Sequence, residues 1–168
     1  AKCALDCGAD LVLELPLPWC MSSAEGFARG GVALAHGLGC VDLLSFGSEL
    51  GETSPLLQAA EAAVSPLIQE KIRLLLSEGF SYPSAREKAI ETQFGSDISR
   101  LFQEPNNILA IEYCKALTLL SSPIQPITIS RAGASHDAAE PSRGSGGFAS
   151  ASYLRARLLR NCLLYTSP

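Results

Sequence analysis

The sequence predicts an α/β fold in which a parallel sheet carries helices on both faces. Three observations point to it. Short, largely apolar runs suited to buried strands lie at 10–16 (DLVLELP), 41–47 (VDLLSFG) and 125–130 (QPITIS). Stretches of helical period separate them, and strands joined through helices run parallel by crossover connections. At 168 residues and 47% hydrophobic, the chain is long enough for one domain with a sizeable core.

The elements follow in order. The run 10–16 is stopped by Pro16. SSAEGFARGGVALAHGLG (22–39) opens on a capping box, Ser22 with Glu25, and ends rich in glycine, which marks a helix. The second strand ends at Gly47. Apolar helical pattern fills 55–78, and Pro66 divides it into two helices. Another helix spans 82–95, with Pro83 in its first turn and Gly95 at its end. EPNNILAIEYCKALTLL (104–120) opens on Asn106 and Asn107 and continues as an amphipathic helix. The third strand, 125–130, has the threonine and isoleucine that strands favour. A Gly/Ser/Ala loop (132–149) leads to a last helix, and AAEPSRGSGG (138–147) within it is the only low-complexity patch.

Composition narrows the function. No run of 18 apolar residues could span a membrane, and no cleavable leader stands at the start. Six cysteines at 3, 7, 20, 40, 114 and 162 form no CxxC pair. That scatter suits reduced thiols in a cytoplasmic protein, several of them buried as small hydrophobes, and speaks against zinc. The net charge of −4 argues against a protein that coats nucleic acid. The charge is uneven, at −7 over residues 1–130 and +3 over 131–168, where five arginines face Asp137 and Glu140.

That positive end holds GGFASASYLRARLLR (146–160), in which glycines and Ser150 and Ser152 precede a helix carrying Arg155, Arg157 and Arg160. A helix N-terminus offers unpaired N–H groups and a positive dipole end, so an anion site fits. Taken alone, the stretch fits a plain serine cap with arginines in water better. In open α/β sheets, ligands bind beyond the carboxyl ends of the strands. FGSE (46–49), Arg131 and the 132–152 loop all fall at such ends, so three separate segments converge on a nucleotide or phosphate site.

The motifs DLVLELP, SSAEGFARGGVALAHGLG, FGSE, SYPSAREKA, PNNILAIEYCKAL, TISRAGASHD and FASASYLR, in this order and spacing, resemble the bacterial tRNA(Met) cytidine acetate ligase family. The resemblance covers residues 1 to about 160, so 1–160 is read as a partial nucleotidyltransferase domain of the HIGH-motif superfamily with a Rossmann-like core. It implies activation of acetate by ATP, with magnesium, to acetyl-adenylate, and transfer of the acetyl group to N4 of the wobble cytidine of elongator tRNA(Met). Such chemistry asks the protein mainly for alignment and for positive or N–H groups on the phosphates.

The resemblance also assigns residues. Gly47 corresponds to a glycine that contacts the nucleotide, and Asn106 or Asn107 to an asparagine that contacts ATP, with helix capping as their plain alternative. Arg131 corresponds to an ATP-binding arginine, and Ser150, Ser152 and Arg155 to a cradle for the β- and γ-phosphates. His136 and Asp137 would orient acetate or meet the tRNA, or else close their loop as a structural pair. For Glu49 two roles stand open, contact with ribose or base and a bond to neighbouring backbone.

The superfamily's His-x-x-His-like motif is absent, because the two histidines, His36 and His136, lie 100 residues apart. The expectation is that this motif and a first strand lie upstream of Ala1, and that NCLLYTSP (161–168) is a non-native tail. Two alternatives accompany the ligase reading. One is an adenylyltransferase of the same superfamily acting on a small phosphorylated metabolite. The other is a nucleotide-binding remnant without catalysis.

Overall fold

A computed structural model of the chain describes residues 1–131. They form seven α-helices and two strands. In order these are α1 (Lys2–Asp6), α2 (Ala24–Leu38), β1 (Leu43–Ser48), α3 (Thr53–Val64), α4 (Pro66–Ser77), α5 (Tyr82–Phe94), α6 (Ser96–Arg100), α7 (Pro105–Leu119) and β2 (Gln125–Ser130). Short 3-10 turns at Trp19–Met21 and Leu101–Gln103 precede α2 and α7.

The strands β1 and β2 are adjacent and parallel, with Leu43 opposite Gln125 and Ser48 opposite Ser130. Partners across a parallel pair share a face, so Leu44, Phe46 and Ser48 stand with Pro126, Thr128 and Ser130. That face meets the helices. Phe46 stacks on Tyr113 of α7, ring centroids 5.4 Å apart, and Leu44 packs on Val32, Ala116, Leu117 and Ile124. On the other face Leu43, Ile127 and Ile129 are exposed among the described residues.

The larger core lies among α3 to α7. Leu56, Ile68, Ile72, Ile90, Phe102 and Ile111 interdigitate around a run of buried alanines, Ala59, Ala60, Ala62, Ala85 and Ala89. Small side chains let these short helices approach closely, and Pro66 and Pro83 start α4 and α5 without losing a helical hydrogen bond. Arg86 anchors α5 to the turn before α7: its guanidinium lies 4.7 Å over the Phe102 ring and donates to the Phe102 carbonyl at 3.4 Å. At the far half of α7, Lys115 bridges Glu112 at 2.6 Å and Glu25 of α2 at 2.9 Å. Burial alone would lower the Lys115 pKa, but the two carboxylates outweigh it and hold the ammonium above its ordinary value.

Several expectations change. The run 10–16 forms no strand: it joins neither β1 nor β2, and Leu11, Val12 and Leu13 are exposed. An apolar run becomes a strand only where an edge accepts its backbone groups, and periodicity does not report the edge. The cap of α2 is Ser23, which accepts a long 3.5 Å bond from the Gly26 N–H, rather than Ser22. Ser22 donates to the Pro18 carbonyl instead, and Glu25 turns away to Lys115. Of the five cysteines among the described residues only Cys114 is buried, whereas Cys3, Cys7, Cys20 and Cys40 are exposed. Burial pushes the Cys114 thiol up to about 12.

Candidate functional site

The strand ends are built by three short pieces of chain. Past the end of β2, Arg131 continues the ladder for one more bond, its N–H donating to the Ser48 carbonyl at 2.9 Å. This fixes where the arginine side chain departs. The stem crosses Gly47, where a Cβ would lie 3.3 Å from the Arg131 Cγ. Glycine there leaves room for the arm, a reason of space rather than of backbone angle.

After β1 the chain turns sharply. The hydroxyl of Ser48, fully buried, accepts from the Gly51 N–H at 2.8 Å and from the Thr128 hydroxyl at 2.7 Å. Gly51 has φ +74°, and a Cβ on it would sit 2.6 Å from that of Ser130, so both conformation and space exclude a side chain. The turn aims Glu49 at the N-terminus of α7.

There the sequence pattern misled. The N-cap position of α7 is Glu104, which makes no side-chain cap bond. Glu49, 57 residues before Asn106, takes over the role. One of its carboxylate oxygens accepts from the Asn106 backbone N–H at 3.1 Å and from Asn106 Nδ2 at 2.6 Å. The other accepts from the Asn107 N–H at 2.7 Å. A carboxylate on two unpaired N–H groups at the positive end of a helix is a favourable arrangement. Burial by itself would raise the Glu49 pKa, yet these bonds outweigh it and hold the carboxyl below its ordinary value.

The two asparagines divide. Asn107 is buried, and its Oδ1 accepts the Leu50 N–H at 3.1 Å, tying α7 to the turn after β1. Asn106 is half-buried, and its Oδ1 accepts from an Arg131 guanidinium N–H at 2.9 Å. Neither caps α7 with its side chain. Gly47, Asn106, Asn107 and Arg131 thus come together at the strand ends, with Glu49 at their centre. The residues Ser150, Ser152, Arg155, His136 and Asp137 lie outside the described part of the chain.

The edge therefore presents a guanidinium that spends one N–H on Asn106 among the described residues, beside a strand end bare at Gly47. Such a surface suits a bidentate anion. A separate cleft of about 230 Å³, lined by Glu25, Arg29, Glu112, Lys115 and Leu119, belongs to the other half of α7. Sequence reasoning left Glu49 between a ribose or base contact and a bond to neighbouring backbone, and did not place it on the N-terminus of α7. Its only signal was an acidic residue following a strand-end glycine.

The sequence model of the HIGH Nucleotidyl Transferase family matches residues 1–165. The tRNA(Met) cytidine acetate ligase of Syntrophotalea carbinolica is 44% identical over 162 residues, covering 94% of this chain and 38% of that protein. The crystal structure of apo Thermotoga maritima TmcAL superposes with a TM-score of 0.87 at 31% identity, over 96% of this chain and 39% of that one. The same protein bound with alpha-thio ATP gives 0.82 at 29% identity, over 95% and 37%. This chain spans less than half the length of these relatives. The parallel strands and their helices are those of a Rossmann-like nucleotidyltransferase, and the chain belongs to the HIGH nucleotidyl transferase family.

Proposed function

We propose that the chain supplies the ATP-binding edge of a tRNA(Met) cytidine acetate ligase. The observation that carries the reading is the Arg131–Asn106 pair held over Gly47 at the ends of both parallel strands. Arg131 places a permanent positive charge on the phosphates, and Gly47 lets the nucleotide approach the strand end. Of the two asparagines, Asn106 is the ATP contact, because Asn107 is turned inward onto Leu50. The support from relatives is that TmcAL of Thermotoga maritima has been crystallised with an ATP analogue. Ser150, Ser152 and Arg155 complete the phosphate cradle, and His136 and Asp137 serve acetate or the tRNA.

In the reaction, an acetate oxygen bonds to the α-phosphorus of ATP as the bond to the β-phosphate oxygen breaks, releasing pyrophosphate. The cytidine N4 then bonds to the acetyl carbon, AMP leaves and the amine loses a proton. A cation held beside the triphosphate stabilises charge that moves onto the departing pyrophosphate. Among the described residues, no group of three His, Cys, Asp or Glu side chains could hold a metal, and both Glu49 oxygens are already engaged by N–H groups. Magnesium would enter as the counterion of ATP itself.

The test is ATP–pyrophosphate exchange in the full-length protein, with and without acetate. Acetate-dependent exchange, reduced at least tenfold in kcat/KM by Arg131→Ala, is the expected result. ATP binding with no acetate-dependent exchange would overturn the ligase reading.

A further inference from the structure

We infer that Glu49 is a positioning residue for this edge: its carboxylate sets which way the Asn106 carboxamide faces, and that carboxamide holds Arg131 ready for an anion. The inference rests on the reading of Asn106 and Arg131 as ATP contacts.

The argument begins with the amide. Nδ2 of Asn106 donates to Glu49 at 2.6 Å, and Oδ1 accepts from Arg131 at 2.9 Å. Reversing the amide would set an N–H group against the guanidinium and an oxygen against the carboxylate. Both contacts would be repulsive, so only one orientation is consistent with the neighbours. Remove the carboxylate and the amide loses the partner that selects it.

The second part concerns charge. An arginine and a carboxylate on either side of one carboxamide could instead pair directly, and a directly paired Arg131 would offer an incoming anion less of its charge. Here the two groups share Asn106 and form no ion pair. The reason lies in α7: the backbone N–H groups of Asn106 and Asn107 engage both Glu49 oxygens at 3.1 and 2.7 Å. The helix N-terminus thereby absorbs the carboxylate, and Asn106 transmits its orientation to Arg131 without its neutralising contact. Gly47 completes the device by leaving space for the arginine stem.

The experiment uses the full-length protein with Glu49→Ala, the near-isosteric Glu49→Gln, Asn106→Ala and the Glu49→Ala/Asn106→Ala double variant. Calorimetric ATP binding, ATP KM and kcat in exchange, and urea midpoints are measured on each. We expect Glu49→Ala and Asn106→Ala each to weaken ATP binding roughly tenfold, through KM more than kcat. The double variant should fall within about threefold of either single one, since both break the same relay. Unchanged affinity in Glu49→Ala and Glu49→Gln, with only the urea midpoint lowered, would overturn the inference and leave Glu49 as a helix cap. Independent, multiplicative losses would overturn it as well.

A second readout needs no ATP. The side-chain amide resonances of Asn106 and the guanidinium resonance of Arg131 should both shift in Glu49→Gln, and unchanged resonances would refute the relay. Failure of the wild-type protein to bind ATP would instead refute the reading on which the inference rests, while the resonances still decide the role of Glu49.

Discussion

The helical body and the strand-end edge of this molecule are held by different forces. In the body, α3 to α6 and the inner side of α7 bury Leu56, Ile68, Ile90 and Ile111 among small alanines. Each contact there is non-directional and contributes by area removed from water. At the edge, Gly47, Ser48, Glu49, Asn106, Asn107 and Arg131 include no apolar side chain. They are held by hydrogen bonds whose donors and acceptors come mostly from distant parts of the chain. The body should therefore govern stability, and the edge should govern binding.

Truncation in the body is the harshest test of this separation. Leu56 is fully buried, and Leu56→Ala is expected to cost about 2–5 kcal/mol in urea unfolding. ATP affinity, measured where the variant is still folded, should stay within about twofold of wild type. Loss of affinity in step with stability would mean that the two regions are one energetic unit.

Gly51 sits at the junction and sharpens the comparison. Gly51→Ala forces a side chain onto a φ of +74° and against Ser130, with an expected loss of about 1–3 kcal/mol. Unlike Leu56→Ala it should also weaken ATP binding, because the strained turn is the one that aims Glu49. A stability loss with ATP affinity intact would show that Glu49 keeps its place without the turn.

The smallest expected effect is on pH. The folded Glu49 carboxyl titrates below its ordinary value, because the Asn106 and backbone hydrogen bonds outweigh burial. A group depressed in this way contributes stability in full above its unfolded value, about 4.3, and loses it as pH falls through the folded value. Wild-type protein should thus lose more stability than Glu49→Gln between neutral pH and the acid limb. Parallel stability profiles for the two proteins would show that the carboxylate adds nothing to folding at the edge.

The body was legible in the sequence because its signals are local. Pro66, Pro83 and Gly95 punctuate α4 and α5 where the structure starts and ends them, and QPITIS is β2 in full. The β1 strand was displaced by two residues at its start, and α6 was missed because five residues carry too little period. The edge was legible only as an address. Gly47 and Arg131 at strand ends, with asparagines opening α7, marked where to look. The role of Glu49 at the start of α7 could not be read, because a cap supplied from 57 residues away leaves no local pattern. The same limit applies to DLVLELP, whose composition suits a strand but which pairs with neither β1 nor β2.

The hydroxyls of Ser48 and Thr128 meet although they stand 80 positions apart in the sequence. Closing a loop of that length costs on the order of 4 kcal/mol in chain entropy before any contact across it compensates. Helices α4 to α6 face a smaller cost, since they pack mainly on their sequence neighbours. The anion edge is consequently a late product of folding. On the proposed function, a chain with its helices in place but its strands unjoined has a body and no site, so ATP binding should report completion of the fold itself.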